Sequence, residues 1–335
     1  MRKEDLRIVF MGTPEFAVGT LKALVENEFH VVAVVTQPDK PLGRHGSVLR
    51  APAVKEYANS VGIPVLQPEK MKDPVFIEQL QSYHPDLQVV VAFRMLPEIV
   101  WNMPRFGTFN VHASLLPQYR GAAPINWAII NGETKTGVTT FFLDHEIDTG
   151  RIIMQKEFEI PEEADVEYVY DHLMELGAQT AIETIDMILE GDGVIETTSQ
   201  QELIETKNAQ CSKKVDVQCS MFNVQSLHPA PKLFKETCEI NWNQPAKKVY
   251  DFIRGLSPVP KAWCWMKTGK SSDLSLSIFK SSLTHSPCQE TPGTFKADKK
   301  RLFVATADEW LEILDLQLAG KKRMLAHDFL NGFKL

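Results

Sequence analysis

The sequence predicts an α/β protein: an N-terminal, Rossmann-like, mostly parallel sheet with helices on both faces, and a small C-terminal β-barrel domain that is OB-like. In the first half, short and almost continuously apolar runs alternate with helical patterns, as in parallel sheets that are buried on both faces. Beyond about residue 240, apolar segments are short and separated by turn residues. A chain of 335 residues is also long for one domain.

The elements follow from the apolar pattern of each segment. Strands are predicted at residues 6–11, 30–36, 63–66 and 87–93, and helices at 16–28, 54–61, 73–83 and 125–130. Residues 136–160 predict a strand pair, and residues 165–190 a long amphipathic helix. Later strand-like segments are 263–266, 274–279, 302–305 and 311–318. We therefore expect a catalytic domain at 1–207, a polar linker at 208–230 and a β-barrel domain at 231–335.

Charge is distributed unevenly along the chain. The net charge is −7, yet residues 1–230 carry 19 Lys and Arg against 32 Asp and Glu, whereas residues 231–335 carry 17 against 11. A basic tail suggests a polyanionic partner, although a solvated charged surface gives the same balance. The basic clusters are Lys247-Lys248, Lys299-Lys300-Arg301 and Lys321-Lys322-Arg323. Trp263 and Trp265 are expected to alternate between core and surface of a strand instead of stacking on bases.

Several protein classes are disfavoured. No run approaches the roughly 18 apolar residues of a membrane span, and the first residues lack the features of a secretory signal, so we expect a cytoplasmic protein. The five cysteines, at positions 211, 219, 238, 264 and 288, are irregularly spaced, which predicts reduced thiols. The turn Gly12-Thr13-Pro14 lacks the glycines of a dinucleotide fingerprint, and Pro14 removes a backbone N–H. No residue set has metal-ligand spacing, and no metal is expected.

The densest set of chemically capable residues lies between positions 108 and 150. Asn110 and His112 alternate with apolar residues, which places them on one face of a strand end, about 7 Å apart. Sites in open parallel sheets lie at the carboxyl ends of strands. An amide can donate to an oxyanion, an imidazole can act as acid or base, and a carboxylate such as Asp148 can orient that imidazole. Each residue alone also fits a structural role, as a hydrogen-bonded histidine or a turn-capping aspartate.

These residues belong to a longer pattern. It comprises residues 110–125 (NVHASLLPQYRGAAPI), Trp127-Ala128-Ile129, Gly132-Glu133, Gly137-Val138-Thr139 and Asp148-Thr149-Gly150. The pattern resembles the signature of the 10-formyltetrahydrofolate-dependent formyltransferases. The resemblance implies formyl transfer from 10-formyltetrahydrofolate as co-substrate, with a catalytic trio of Asn110, His112 and Asp148. Because no Cys or GxSxG nucleophile lies near this trio, we expect direct transfer without a covalent enzyme intermediate.

The resemblance further implies a folate-binding set. Its members are Phe93, Arg94, Met95, Leu96, Ser114, Leu115, Leu116 and Pro117. Phe93 and Arg94 replace the Tyr-Gly that is usual where the family binds the pterin, and Ala113 replaces a common proline.

Over nearly the whole chain, the sequence is similar to the members of this family that formylate initiator methionyl-tRNA. The similar segments are 10–17, 36–44, 230–233, 240–242 and 253–255. This resemblance implies a role in translation initiation and a tRNA-contacting loop, with contacts expected at Arg44 and Arg50. The basic balance of the tail adds Lys247 and Lys248 as expected tRNA contacts, and we also expect a monomer. A sugar-amine formyltransferase, a formyltetrahydrofolate hydrolase and a non-catalytic tRNA-binding module are alternatives. Segment 36–44 and the basic tail disfavour the two enzymes, and the intact trio disfavours the module.

Overall fold

The computed structural model describes residues 2–42, 48–211, 227–267 and 273–333, which group into two compact units. The N-terminal unit comprises residues 1–120, 137–158 and 171–228, and the C-terminal unit comprises residues 121–136, 159–170 and 229–335. Within the described ranges, no helix has the length and apolar character needed to cross a membrane.

The secondary structure runs as follows. The strands are β1 (Ile8–Gly12), β2 (Val31–Val35), β3 (Lys40–Leu42), β4 (Val48–Arg50), β5 (Val65–Leu66), β6 (Leu87–Val91), β7 (Thr108–His112), β8 (Lys135–Phe142), β9 (Ile152–Glu159), β10 (Ala262–Met266), β11 (Leu274–Pro287), β12 (Phe295–Asp298), β13 (Arg301–Ala305), β14 (Glu309–Leu318) and β15 (Met324–Leu325). The α-helices are α1 (Glu15–Glu26), α2 (Ala53–Ser60), α3 (Pro74–Ser82), α4 (Glu98–Trp101), α5 (Pro124–Ile130), α6 (Val166–Glu190), α7 (Gln200–Cys211), α8 (Ala246–Leu256) and α9 (Ala326–Gly332).

The N-terminal unit is built around a seven-stranded sheet with the order β5-β2-β1-β6-β7-β8-β9. Strand β1 pairs in parallel with β2 and β6, and β6 pairs in parallel with β7, whereas β8 runs antiparallel to β7. Strands β1, β2 and β6 are buried along their whole length, which is why their sequences are continuously apolar. The predicted Rossmann-like, mostly parallel sheet is therefore confirmed.

Helix α3 shows how local sequence and packing fix the flanking layer. Asp73 caps the helix by accepting a hydrogen bond from the Val75 backbone, and Pro74 occupies the first turn, where a missing N–H costs nothing. The buried side chains of Phe76 and Leu80 join one apolar cluster with Met11 of β1. Burial of each such side chain contributes about 1.5–3 kcal/mol, which holds the helix against the sheet.

The C-terminal unit contains a six-stranded antiparallel sheet in the order β10-β11-β14-β13-β12, with β15 paired to β14. This confirms a C-terminal antiparallel β domain. Strand β11 extends well beyond the predicted residues 274–279, because register shifts let it keep pairing with β14 as it bends. The sequence analysis predicted only strands here and missed α8. Its buried Val249, Ile253 and Leu256 have the spacing of an amphipathic helix and pack into the domain core.

Strand β10 corrects the prediction for the two tryptophans. Trp263 and Trp265 are two residues apart, so they share one face of the strand instead of alternating, and Trp265 is half exposed. Ala262, Cys264 and Met266 occupy the opposite, buried face. Burial raises the pKa of the Cys264 thiol to about 12, which makes this cysteine an inert part of the core.

Gly150 allows the chain to turn closely between β8 and β9. A Cβ atom at this position would lie 1.7 Å from the carbonyl oxygen of Phe142, so only glycine fits without movement of the main chain. The backbone N–H of Phe142 donates to the carbonyl of Arg151 at 3.0 Å, which closes the same turn. This close approach fixes the path of the segment that contains Asp148.

We predict that Gly150→Ala destabilises the N-terminal unit by about 1–3 kcal/mol, because the added methyl group displaces a buried main chain. Denaturant unfolding of the whole protein measures this change. Gly332→Ala is the control, since the described chain leaves open space around a Cβ there, and it should leave stability unchanged or slightly higher. Equal unfolding midpoints for Gly150→Ala and the parent would contradict the close approach.

Candidate active site

Strand β7 places two of the predicted site residues inside the N-terminal sheet. Asn110 lies opposite Val90 of the parallel strand β6, and His112 lies opposite Thr139 of the antiparallel strand β8. The two-residue spacing puts both side chains on one face, and His112 is the last residue of the strand. The structure therefore places this pair at the carboxyl end of a central strand.

His112 is held from both sides of its ring. Its Nε2 lies 2.9 Å from the carbonyl oxygen of Tyr119, and its Nδ1 lies 4.0 Å from Oδ2 of Asp148. A carbonyl only accepts, so Nε2 carries a hydrogen, and any second proton of the ring lies on Nδ1, toward the carboxylate. Both side chains are nearly buried, at 7% and 12% exposure. Sequence analysis anticipated the carboxylate but not the main-chain carbonyl.

Asp148 lies in the connection between β8 and β9 and has a left-handed backbone, with φ of 55°. Aspartate tolerates this conformation better than most residues, yet it needs support from its surroundings. The side-chain amide of Gln200 donates to the carbonyl oxygens of Asp148 and Gly150, at 2.8 and 3.0 Å. Sequence analysis missed Gln200, although Ser199 and Glu202 form a capping box that marks the start of α7.

Asn110 presents a buried polar atom to the site. Its Oδ1 is buried and has no hydrogen-bond partner within the described part of the chain. Leaving a buried acceptor unsatisfied costs about 1–3 kcal/mol, and proteins tolerate this mainly where a ligand or water completes the bond. The side-chain oxygen of Asn110 is therefore available to a hydrogen-bond donor of a bound molecule next to His112.

Residues 113–119 connect β7 to the Tyr119 carbonyl, and their polar groups are satisfied internally. The hydroxyl of Ser114 donates to the carbonyl of Gln118 at 2.8 Å, and the amide of Gln155 donates to the carbonyl of Leu116 at 2.7 Å. All four predicted folate residues of this stretch, Ser114, Leu115, Leu116 and Pro117, are buried. The segment thus fixes the turn that returns Tyr119 to the ring of His112.

The second predicted folate segment, residues 93–96, follows β6 at the same edge of the sheet. Met95 is 66% exposed, whereas Leu96 is buried. The guanidinium of Arg94 donates to the carbonyls of Pro68 and Glu69, and burial lowers the pKa of Arg94. Arg94 therefore holds this segment against the loop after β5. The sequence showed only that an arginine replaces the usual glycine and did not predict these contacts.

The predicted tRNA residues have different environments. Arg44 lies outside the described residues, and Arg50 is exposed at the end of β4. Lys247 forms an ion pair with Asp251 at 2.7 Å, whereas Lys248 is exposed and has no ion pair among the residues described. Arg301 and Arg323 of the other clusters also pair with carboxylates, Glu312 and Asp315. The neighbouring lysines 248, 299, 300, 321 and 322 are thus the more accessible cations.

The arrangement supports acid–base and oxyanion chemistry. Asn110 offers an amide, His112 offers a ring nitrogen next to a carboxylate, and all three side chains of the predicted trio belong to the same unit. These groups can transfer protons and donate hydrogen bonds to a developing negative charge. Across the described ranges, no group of three His, Cys, Asp or Glu side chains could hold a metal ion.

Comparison with known proteins agrees with this chemistry. The family model "Formyl transferase" matches residues 6–185, and "Formyl transferase, C-terminal domain" matches residues 232–334. A methionyl-tRNA formyltransferase of Parabacteroides distasonis is 55% identical over 335 residues, which are 100% of this chain and 98% of the relative. One from Bacteroides thetaiotaomicron is 51% identical over 336 residues, with the same shares covered.

A solved structure shows the same fold at greater distance. The N-formyltransferase from Helicobacter canadensis, in complex with folinic acid and dTDP-3-aminofucose, aligns with a TM-score of 0.62 and 19% identity. The alignment covers 95% of this chain and 100% of that protein, and it supports the fold alone. Two matching domain models and relatives that are more than 50% identical over the full length establish that the chain belongs to the formyl transferase family and is an enzyme that transfers a formyl group.

Proposed function

We propose that this enzyme transfers the formyl group of 10-formyltetrahydrofolate to the amino group of initiator methionyl-tRNA, for translation initiation. The relatives that carry this activity in their names align over the whole chain, including both domain models. The observation that carries the chemistry is the position of His112 between the Tyr119 carbonyl and the Asp148 carboxylate. An enzyme acting on tRNA in this way is expected in the cytoplasm, and we expect a monomer.

The rival functions have less support. A sugar-amine formyltransferase shares the fold at only 19% identity, far below the similarity to the full-length relatives. A hydrolase would also require Asn110, His112 and Asp148, but it binds no polyanion that would explain a basic tail. A tRNA-binding module without activity would not need a buried histidine that lies between a main-chain carbonyl and a carboxylate.

Transfer requires a neutral amine that attacks the formyl carbon: the new C–N bond forms, the bond to N10 of the folate breaks, and one proton passes from the amine to N10. In our proposal, Asn110 donates to the oxygen that becomes negative in the tetrahedral intermediate. His112 and Asp148 hold and return the proton on the Nδ1 side of the ring. The 4.0 Å between Nδ1 and Oδ2 is longer than a direct hydrogen bond, so the carboxylate acts on the ring electrostatically in this conformation.

The folate is proposed to bind along residues 93–96 and 114–117. Met95 leaves apolar surface exposed at the carboxyl edge of the sheet, and the unsatisfied Oδ1 of Asn110 lies on the neighbouring strand β7. Buried main chain from 114 to 117 gives a firm apolar wall. These features fit a flat ligand with polar edges, which is the chemistry of a pterin.

The tRNA is proposed to contact the β3–β4 hairpin and the basic surface of residues 231–335. Strands β3 and β4 pair antiparallel, with Lys40 opposite Arg50, and they flank the segment that contains Arg44. In the C-terminal unit, the accessible lysines of the three basic clusters are the proposed phosphate contacts, whereas Lys247 is already paired with Asp251. Contacts of this kind position a nucleic acid without reading its sequence.

We predict that His112→Ala, Asn110→Ala and Asp148→Asn each lower kcat by roughly 10²–10⁴-fold, because each removes a proton-transfer or oxyanion contact. Steady-state formylation of methionyl-tRNA measures the effect. His145→Ala is a matched control on the same loop, since that histidine is 68% exposed, and it should retain full turnover. A His112→Ala enzyme with near-normal kcat would disprove the proposed site.

A second prediction concerns salt. Reversing the charges of Lys321 and Lys322 to Glu should reduce the slope of log affinity against log salt by about 0.7–0.9 for each phosphate that is no longer neutralised. Binding of tRNA measured over a series of salt concentrations gives the slope. The control variant reverses the charges of the exposed Lys70 and Lys72 of the N-terminal unit to Glu, and it should leave the slope unchanged. Equal slopes for both double variants would exclude Lys321 and Lys322 from the interface.

A further inference from the structure

The side chain of Gln200 lies deep in the N-terminal unit although it begins a helix. Gln200 is only 3% exposed, and both ends of its amide are used. The Nε2 group donates to the carbonyls of Asp148 and Gly150, at 2.8 and 3.0 Å. The Oε1 atom accepts from Nε and Nη2 of Arg120, at 3.0 and 2.6 Å. All four hydrogen bonds go to residues outside α7, so a role beyond helix formation is indicated.

These hydrogen bonds join Arg120, the residue after Tyr119, to Asp148, and Tyr119 and Asp148 lie on either side of the His112 ring. The carbonyl of Tyr119 accepts from Nε2 of His112, and Arg120 follows Tyr119 directly. Asp148 lies on the other side of the ring. Tyr119 and Asp148 both have left-handed backbones, with φ of 60° and 55°. Such conformations persist only where neighbouring contacts fix them. Gln200 accepts from the guanidinium of Arg120, the residue after Tyr119, and donates to the main-chain carbonyls of Asp148 and Gly150.

We propose that Gln200 is a positioning residue for formyl transfer: its amide joins the Arg120 guanidinium to the main chain at Asp148 and so sets the position of the Asp148 carboxylate beside Nδ1 of His112. The inference rests on the proposed roles of His112 and Asp148. The helix start is itself fixed, because Ser199 and Glu202 bond reciprocally in a capping box, at 2.9 and 3.0 Å. Gln200 therefore projects from a firm base.

The chemistry of these hydrogen bonds requires a neutral amide. Glutamate at position 200 would still accept from Arg120, but it would face two carbonyl oxygens with a carboxylate and without N–H donors. Leucine would remove both sets of hydrogen bonds. Burial lowers the pKa of Arg120, while the charges of Asp148 and Glu146 raise it, so these carboxylates lie within electrostatic reach of the guanidinium. Without Gln200, the attraction of Arg120 for Asp148 has less competition, and the carboxylate is drawn away from His112.

The test compares Gln200→Leu and Gln200→Glu with Gln201→Leu in the full-length enzyme. Gln201 is the adjacent glutamine; it is exposed, and its side chain donates within α7, to Glu205 at 2.9 Å. Both Gln200 variants should lower kcat by roughly 100-fold and change the pH dependence of kcat, because the proton-holding groups are displaced. Their KM values for tRNA and folate should stay within about twofold of the parent value, since neither ligand is expected to touch Gln200. Gln201→Leu should match the parent in every respect.

Three results would overturn the inference. The first is parental kcat in Gln200→Leu. The second is full activity in Gln200→Glu, which would show that donation to Asp148 is dispensable. The third is a lower kcat with an unchanged pH profile and a thermal midpoint lowered in proportion, which would indicate a structural role only. His112→Ala, assayed in parallel, separates the two proposals: normal turnover there would remove the proposed site itself, whereas its inactivity beside an active Gln200→Leu would remove only the role of Gln200.

Discussion

The hydrogen bond from Nε2 of His112 to the Tyr119 carbonyl determines where a proton can lie in this site. Because that carbonyl can only accept, the lone pair or second proton of the ring is directed to Nδ1, where the Asp148 carboxylate lies 4.0 Å away. The sheet and the turns of the N-terminal unit produce this arrangement. They bring a main-chain oxygen and a carboxylate, 29 residues apart in sequence, to opposite sides of one imidazole.

The sheet provides the geometry for this arrangement. Strand β7 is central, so its last residue, His112, is buried and firmly placed. Strand β8 runs antiparallel to β7 and ends at Phe142, opposite Phe109, and the tight turn at Gly150 sets the position of Asp148 in the connection to β9.

The sequence was most informative where side chains repeat with a fixed period. Continuous apolar runs predicted the parallel strands, and two-residue alternation predicted that Asn110 and His112 share a face. Tyr119 could not be found in this way, because it contributes a main-chain carbonyl that any residue has. The role of Gln200 depends on hydrogen bonds to residues 52 and 50 positions earlier, which no local pattern encodes. The helix α8 did have an amphipathic pattern, but the surrounding strand signals obscured it.

The sequence gives the number of charged residues but not which of them form ion pairs. The basic balance of residues 231–335 is visible in the sequence, but the ion pairs of Lys247, Arg301 and Arg323 are not, because their partners lie on other turns and strands. The excess of positive charge thus overstates the number of cations that can bind phosphate. Exposed lysines next to these paired residues are the better candidates.

The hydrogen bond between His112 and Tyr119 can be tested most directly by ¹⁵N NMR of histidine-labelled enzyme, with the His112 signals assigned by their absence from the spectrum of His112→Ala. The account predicts that the neutral ring of His112 carries its hydrogen on Nε2, which donates it to the Tyr119 carbonyl. A neutral His112 with its hydrogen on Nδ1 would contradict the account, because the Tyr119 carbonyl could then not be its partner.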